Sequence, residues 1–312
     1  MTQRPLADSG LSVAPIALGG NVFGWTADEA ASFAILDAFV DAGGTMIDTA
    51  DVYSAWAPGH VGGESERIIG AWLKHNPAKR DKVLIATKVG MISGLKPDTI
   101  AAAAEASLDR MGIEVIDLYY QHKDDPEVPL ADSLGAFEAL RAAGKIRSTG
   151  LSNFEADRLT EAVATADREG FARPSTLQCW YNLMERDKFE GPLRAAAVAA
   201  GMAVCPFYSL ANGFLSGKYR EQGDLAKSVR GARSFEYVDS AKGKAVLAAL
   251  DDVAAQTGAA LATVTLAWTK AKPGITAPIA SATSLTQAAE LIAALQMDLT
   301  AGQIEQLDTA SA

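Results

Sequence analysis

Thr45-Met46-Ile47-Asp48-Thr49-Ala50-Asp51-Val52-Tyr53 opens as a strand and ends in chemically able side chains. Met46 and Ile47 form the short apolar run of a strand buried on both faces. Asp48, Asp51 and Tyr53 then stand where such a strand stops. In a parallel α/β fold, the loops after the strand C-termini carry the functional groups. The plainer reading of the same carboxylate is a cap for the next helix, because Asp is a favoured N-cap.

The flanking sequence indicates what sheet this strand joins. Residues 4–16 alternate apolar and polar around Asp8-Ser9-Gly10, which predicts a hairpin. Residues 15–20 read as a strand, and Thr26 with Glu29 in capping-box register predicts a helix running to residue 42. Beyond the opening stretch, helices are expected over 65–74, 97–111, 130–143, 155–169 and 189–200. Strands are expected between them, over 82–88, 115–122, 146–151, 176–179 and 202–207. Gly112, Gly144 and Gly201 stop three of those helices. Helices over 241–256 and 261–271, a strand over 275–280, and helices over 285–295 and 300–309 complete the chain. Eight strands, each followed by at least one helix, predict a (β/α)8 TIM barrel behind an N-terminal β-hairpin. The alternative is an open doubly wound sheet, but no G-x-G-x-x-G follows the first strand. Without a linker or low-complexity stretch, residues 1–312 read as one domain. Residues 211–240 are too long for a plain connection and are expected to form a functional loop.

Bulk composition narrows the function. The chain has 312 residues, 49% of them hydrophobic and 21% charged, as soluble enzymes do. A net charge of −10 argues against nucleic acid as a partner and requires local cations for any anionic ligand. Cys179 and Cys205 lie in apolar segments and read as reduced core residues; His60, His75 and His122 form no metal-like spacing, so no metal is expected. The N-terminus lacks an apolar leader core and no run has the length of a bilayer span, which predicts a cytoplasmic protein without a membrane partner.

A barrel would gather its strand ends at one mouth. Asp48 and Tyr53 follow the second strand, Lys88 ends the third and His122 ends the fourth. Ser152-Asn153, Gln178 and Tyr208-Ser209 follow at the fifth, sixth and seventh. Singly, Lys88 could be an edge charge and His122 a satisfied core histidine. Together they demand partners, because a strand buried on both faces has no cheap place for such groups. The set makes chemical sense as an acid for carbonyl reduction. A phenol ordinarily titrates near ~10; an adjacent ammonium is expected to lower that value, a carboxylate to keep the ammonium charged, and an imidazole to orient the substrate oxygen. Trp25, Trp56 and Trp180 with Tyr181 are candidate pocket walls, Trp180 and Tyr181 equally candidates for the core.

The chain resembles the aldo-keto reductases over nearly its whole length. The carriers are D-T-A-D-V-Y (48–53), G-G-E-S-E-R-I-I-G (62–70), A-T-K-V-G (86–90), I-D-L-Y-Y-Q-H (116–122), G-K-I-R-S-T-G-L-S-N-F (144–154), Q-C-W-Y-N-L (178–183) and Y-S-L-A-N-G-F-L-S-G-K-Y (208–219). The resemblance implies a short-C-terminus, bacterial-type member that interconverts aldehydes or ketones and alcohols with NADP(H), NAD(H) being possible. It implies Tyr53 as acid/base, Asp48 and Lys88 as the pair that tunes it, and His122 as the group that positions the carbonyl. Ser152, Asn153 and Gln178 would hold the nicotinamide carboxamide, and Tyr208 would stack on the ring. Ser209, Leu210, Gly213, Leu215 and Lys218 would wrap the pyrophosphate, with Arg230 and Arg233 in the same belt. Ser281, Thr283, Gln287 and Glu290 would hold the adenosine end, and Gly20 and Asn21 would make a weaker contact. Thr283 stands where strongly NADP-selective members carry Arg or Lys, so a modest preference for NADPH is expected. Two other classes are alternatives, a non-catalytic cofactor-binding regulatory subunit and a phosphate-binding barrel isomerase.

Overall fold

The computed structural model describes residues 2–312. A two-stranded antiparallel hairpin, β1 (Arg4–Pro5) and β2 (Ser12–Val13), precedes eight parallel strands. These are β3 (Ala17–Gly19), β4 (Met46–Asp48), β5 (Leu84–Val89), β6 (Ile116–Gln121), β7 (Ile146–Ser152), β8 (Thr176–Gln178), β9 (Ala203–Val204) and β10 (Ile279–Ala280). They pair in chain order from β3 to β9, and β10 pairs with β3. The last seam closes through the Thr276 N–H on the Val204 carbonyl (2.7 Å) and the Ile279 N–H on the Pro206 carbonyl (2.8 Å). The expected barrel, with its hairpin, is present.

Helices α1 (Glu29–Asp41), α2 (Glu64–His75), α3 (Pro97–Met111), α4 (Leu130–Ala142), α5 (Ala156–Glu169) and α6 (Pro192–Ala199) link successive strands from β3 to β9. Helices α1 to α5 each bury one stripe: in α3 it is Ile100, Ala104, Ser107, Leu108 and Met111, one face of a 3.6-residue period. Two expectations are corrected at the helix starts. Asp28, not Thr26, caps α1, its side chain accepting from the Ala31 N–H at 2.8 Å. Residues 189–191 are not helical, because Pro192 fixes the first turn of α6.

The expected loop is a compact belt of three 3₁₀ turns, Ala211–Ser216, Gln222–Lys227 and Gly231–Ser234, leading into α7 (Phe235–Val238). Beyond it, α8 (Ala241–Thr257) and α9 (Leu261–Ala271) precede β10, and α10 (Leu285–Gln296) and α11 (Ala301–Ala310) follow. No single helix among the described residues is long and apolar enough to cross a membrane.

Strand alternation decides what reaches the mouth. Met46, Leu84, Ala86, Leu118, Tyr120, Ala203 and Cys205 fill the barrel with Leu6, Leu11 and Val13 of the hairpin segment. Ile47, Ile85, Val89 and Tyr119 join the core packed against the helices. Side chains two apart share a face. The file Met46–Asp48, the file Leu84–Ala86–Lys88 and the file Leu118–Tyr120–His122 therefore carry their polar members above the plugged interior.

The opposite end is held by polar bonds of its own. The buried carboxylate of Asp117 accepts from the Ile85 N–H (2.8 Å), Arg80 (2.8 Å) and Arg147 (2.9 Å). Asp117→Ala leaves a buried amide and two cations without their acceptor. It is expected to lower unfolding free energy by roughly 2–4 kcal/mol, read from denaturant midpoints; a loss within ~0.5 kcal/mol would show that this cluster does not hold β5 to β6.

Candidate active site

The centre of the mouth is a buried ion pair. Lys88 is fully buried in β5 and Asp48 is 1% exposed at the end of β4. Lys88 Nζ donates to Asp48 Oδ2 at 2.8 Å, to the Thr49 carbonyl at 2.7 Å and to Tyr53 Oη at 2.9 Å. An ammonium has three N–H bonds and all three are engaged. The other carboxylate oxygen of Asp48 accepts from Gln178 Nε2 at 2.8 Å, and Tyr53 Oη reaches Asp48 Oδ2 at 3.2 Å. The Tyr53 ring lies 6.0 Å from that of His122, whose backbone N–H bonds the Val89 carbonyl at 2.8 Å. Asp48 and Tyr53 of one segment thus meet Lys88 and His122 from the next two strands.

Burial controls their ionisation. The Tyr53 hydroxyl is held well above the ordinary phenol range, first by desolvation and then by the charge and hydrogen bond of Asp48. The expected lowering of the phenol by Lys88 is not met: desolvation and Asp48 outweigh the N–H that Lys88 donates to Tyr53 Oη. Desolvation also lowers Lys88 from its usual value, with Asp48 opposing. His122 is driven well below the ordinary imidazole range by burial and then by Lys88, so it is neutral at pH 7, with Nδ1 buried and unpartnered among the described residues.

A second acidic layer lies behind the first. Glu66 of α2 accepts from Thr87 Oγ1 (2.6 Å) and pairs with Arg110 of α3 (2.6 Å). Asp51 faces this pair with Oδ1 buried and unpartnered; desolvation first, then Glu66, raise it to about 6. The sequence displays Asp51 inside D-T-A-D, but not its proximity to Glu66.

The residues expected around the cofactor fall into three groups. Near the ion pair, Asn153 Nδ2 donates to the His122 carbonyl (2.9 Å) and Ser152 Oγ (3.0 Å), with Asn153 at φ 55°. After β9 the backbone takes an unusual course, Tyr208, Ala211 and Asn212 having φ of 55°, 46° and 57° and Gly213 of 97°. Left-handed non-glycine residues clustered in this way mark functional turns, and such turns make anion-binding concavities. A Cβ on Gly213 would lie 2.8 Å from Lys218 Nζ, and Asn212 Oδ1 is buried without a partner among the described residues. Arg233 Nη1 donates to Tyr208 Oη at 3.2 Å, and neither Arg233 nor Lys218 has a carboxylate within 4.0 Å among the described residues. Those features fit an anionic dinucleotide. Ser209 Oγ turns back to the Pro206 carbonyl (3.1 Å), and Leu210 is half-buried. Leu215 is the exception, its side chain wholly in the core and its N–H on the Leu210 carbonyl (3.2 Å).

The third group joins the two ends of the barrel. Ser281 Oγ donates to Asn21 Oδ1 (2.6 Å), and Thr283 donates from N and Oγ1 to Gln287 Oε1 (2.9 and 3.1 Å). Glu290 stands half-buried on α10, its carboxyl raised by desolvation. The Gly20 N–H bonds the Asp48 carbonyl at 2.7 Å, and a Cβ there would meet Ser65 Oγ at 2.8 Å. Trp180 packs 4.3 Å from Tyr208 at the mouth, whereas Tyr181 is core and stacks on Trp268 at 5.6 Å. Cys179 and Cys205 are free and buried, and no group of three His, Cys, Asp or Glu among the described residues could hold a metal.

Residues 15–312 match the Aldo/keto reductase family, and the chain belongs to it. It is 33% identical over 306 residues to the uncharacterized oxidoreductase YrpG of Bacillus subtilis (strain 168), covering 94% of this chain and 91% of that one. It is 32% identical over 244 residues to the aldo-keto reductase str7 of Strobilurus tenacellus, covering 76% and 68%. It is 28% identical over 310 residues to a probable voltage-gated potassium channel subunit beta of Oryza sativa subsp. japonica, covering 95% and 92%. The protein is accordingly an oxidoreductase of a family that uses NAD(P)H on small carbonyl compounds.

The raised carboxyl of Asp51 has a pH signature. A carboxyl held above its unfolded value stabilises the fold only while protonated, so this contribution is lost as pH rises through about 6. Asp51→Asn is therefore expected to stabilise the protein at pH 8 by roughly 1–3 kcal/mol and by clearly less near pH 4. Equal gains at both pH values in denaturant titrations would place the Asp51 carboxyl in water.

Proposed function

We propose that the chain is an NADP(H)-dependent carbonyl reductase or alcohol dehydrogenase, with Tyr53 as the group that gives and takes the proton. The observation that carries this reading is the Tyr53 hydroxyl, held between Asp48 Oδ2 and Lys88 Nζ beside His122. When bound, the nicotinamide supplies a hydride to the carbonyl carbon. As the C=O electron pair moves onto oxygen, Tyr53 gives that oxygen its proton. The phenolate left behind keeps the Lys88 N–H, which strengthens as charge develops. Neutral His122 directs its one ring N–H at the carbonyl oxygen and fixes its approach. In the reverse direction the phenolate receives the alcohol proton.

Ser152, Asn153 and Gln178 serve the carboxamide end in this reading. Tyr208 covers the ring, and the turn from Ser209 to Lys218 with Arg233 meets the phosphates. Thr283 and Ser281 offer hydroxyls without a fixed charge at the adenosine end, so NADPH is favoured only modestly and NADH is used. A phenol kept protonated by burial suits reduction at neutral pH. Similarity to a channel subunit β does not move the reading, because all four catalytic side chains stand in hydrogen-bonding or ring contact. The chain acts as one barrel domain in the cytoplasm on small carbonyl compounds and alcohols.

Tyr53→Phe removes the proton and leaves the ion pair in place. Turnover of an aldehyde, followed by loss of NADPH absorbance, is expected to fall by about 10²–10⁴-fold while NADPH affinity stays within about threefold. Wild-type turnover in the Phe variant would overturn the assignment.

A further inference from the structure

In a chain of net charge −10, arginines readily find carboxylates. Arg158 pairs with Asp124, Arg186 with Glu190 and Arg220 with Asp251. Arg230 differs. Its guanidinium has no carboxylate within 4.0 Å and makes no side-chain hydrogen bond among the described residues, although the residue is half-buried. Its central carbon lies instead 5.2 Å from the centre of the Trp25 ring. Desolvation is the largest influence on its ionisation and lowers it, with Tyr208 and Tyr53 close enough to raise it and Arg233 to lower it again.

The surroundings make this cation part of the mouth. Trp25 meets Trp56 edge to face at 5.5 Å, and Trp56 meets Tyr53 at 6.0 Å. An aromatic surface therefore runs from the proposed proton donor to the guanidinium. The turn that carries Arg230 is tightly packed: its N–H donates to Ser228 Oγ at 3.3 Å, Ser228 bonds Tyr219 Oη, and a Cβ on Gly231 would lie 1.9 Å from the Leu225 carbonyl. The side chain is thus presented on a fixed backbone against a fixed ring. Removing a guanidinium from water without an acid partner is costly, and an incoming carboxylate recovers that cost through two parallel N–H bonds. Lys218, in contrast, lies over the Tyr219 ring and Arg233 donates to Tyr208 Oη, beside the turn proposed to meet the phosphates.

We propose that Arg230 is the anion receptor of the substrate pocket, and that preferred substrates are carbonyl compounds bearing a carboxylate, their apolar middle lying on Trp25 and Trp56. This rests on the reading of the mouth as a carbonyl-reducing site, and it moves Arg230 from the cofactor belt to the substrate. Arg230 selects by charge; it takes no part in the proton or hydride transfer.

Wild type and Arg230→Met are compared on 4-carboxybenzaldehyde and on its neutral methyl ester, methyl 4-formylbenzoate, with NADPH affinity measured separately. The expected result is a loss in kcat/KM that is on the order of 10- to 100-fold greater for the acid than for the ester, with NADPH affinity retained and the acid's advantage shrinking in salt. Equal losses on both substrates overturn the proposal, as does a loss that follows weakened NADPH binding. A second arm is independent of turnover and of the variant's folding: benzoate added to the wild-type protein with NADPH should quench tryptophan fluorescence saturably, and benzyl alcohol should not. If neither aldehyde is reduced but benzoate still quenches, the carbonyl-reductase reading fails and the anion receptor stands. If benzoate does not quench, the anion receptor fails.

Discussion

Lys88 holds its charge in a place that water does not reach, and the rest of the mouth is arranged around that fact. A buried ammonium is tolerated when its attraction to a partner and its hydrogen bonds offset desolvation. Here the three acceptors come from Asp48, which ends β4, and from Thr49 and Tyr53 in the segment that follows it. The 2.8 Å Lys88–Asp48 contact requires β4 and β5 to keep one register, in which Asp48 is opposite Ala86 and Lys88 opposite Tyr120. A one-residue slip would turn Lys88 outward against the helices. Register, ion pair and phenol position are therefore one constraint, and the apolar files below are what fix the register.

That constraint also sets the chemistry. Lys88 donates to the Tyr53 oxygen, yet desolvation and the charge of Asp48 outweigh that contact and keep the phenol protonated in the resting protein. Burial meanwhile keeps His122 neutral, so it adds no second cation beside Tyr53 and Lys88. Glu66 and Asp51 of the outer layer bear on Lys88 through charge, and burial pushes Asp51 up to about 6. The two layers differ in kind: the inner one exchanges protons with substrate in the proposed reaction, and the outer one sets the field around Lys88.

The barrel was legible because its signal is periodic. Eight apolar runs alternating with amphipathic segments leave few other folds, and the ends of α3 and α9 coincide with the expected residues 97–111 and 261–271. The last strands were read too long, as 202–207 and 275–280, where the regular ladder covers Ala203–Val204 and Ile279–Ala280. Pro206 and Pro278 lack an N–H, so the ladder breaks beside them even though the chain stays extended. Of the site, the four polar strand ends could be read from position alone. The direction of the Tyr53 shift could not, since it depends on desolvation and on which acceptors Lys88 has already filled. Nor could the isolation of Arg230, because a lack of partners is a property of space and not of sequence.

The phenol is where these lines meet, and its ionisation can be read directly. Phenolate absorbance is titrated in wild type and in Tyr53→Phe, and the difference between the two curves belongs to Tyr53. The expected difference is flat through neutrality and up to about pH 10, the ordinary phenol value, with any phenolate appearing only above it. A phenolate step between about pH 7 and 9 would mean that Lys88 dominates over burial and Asp48, and would contradict a protonated donor held in place by the buried pair.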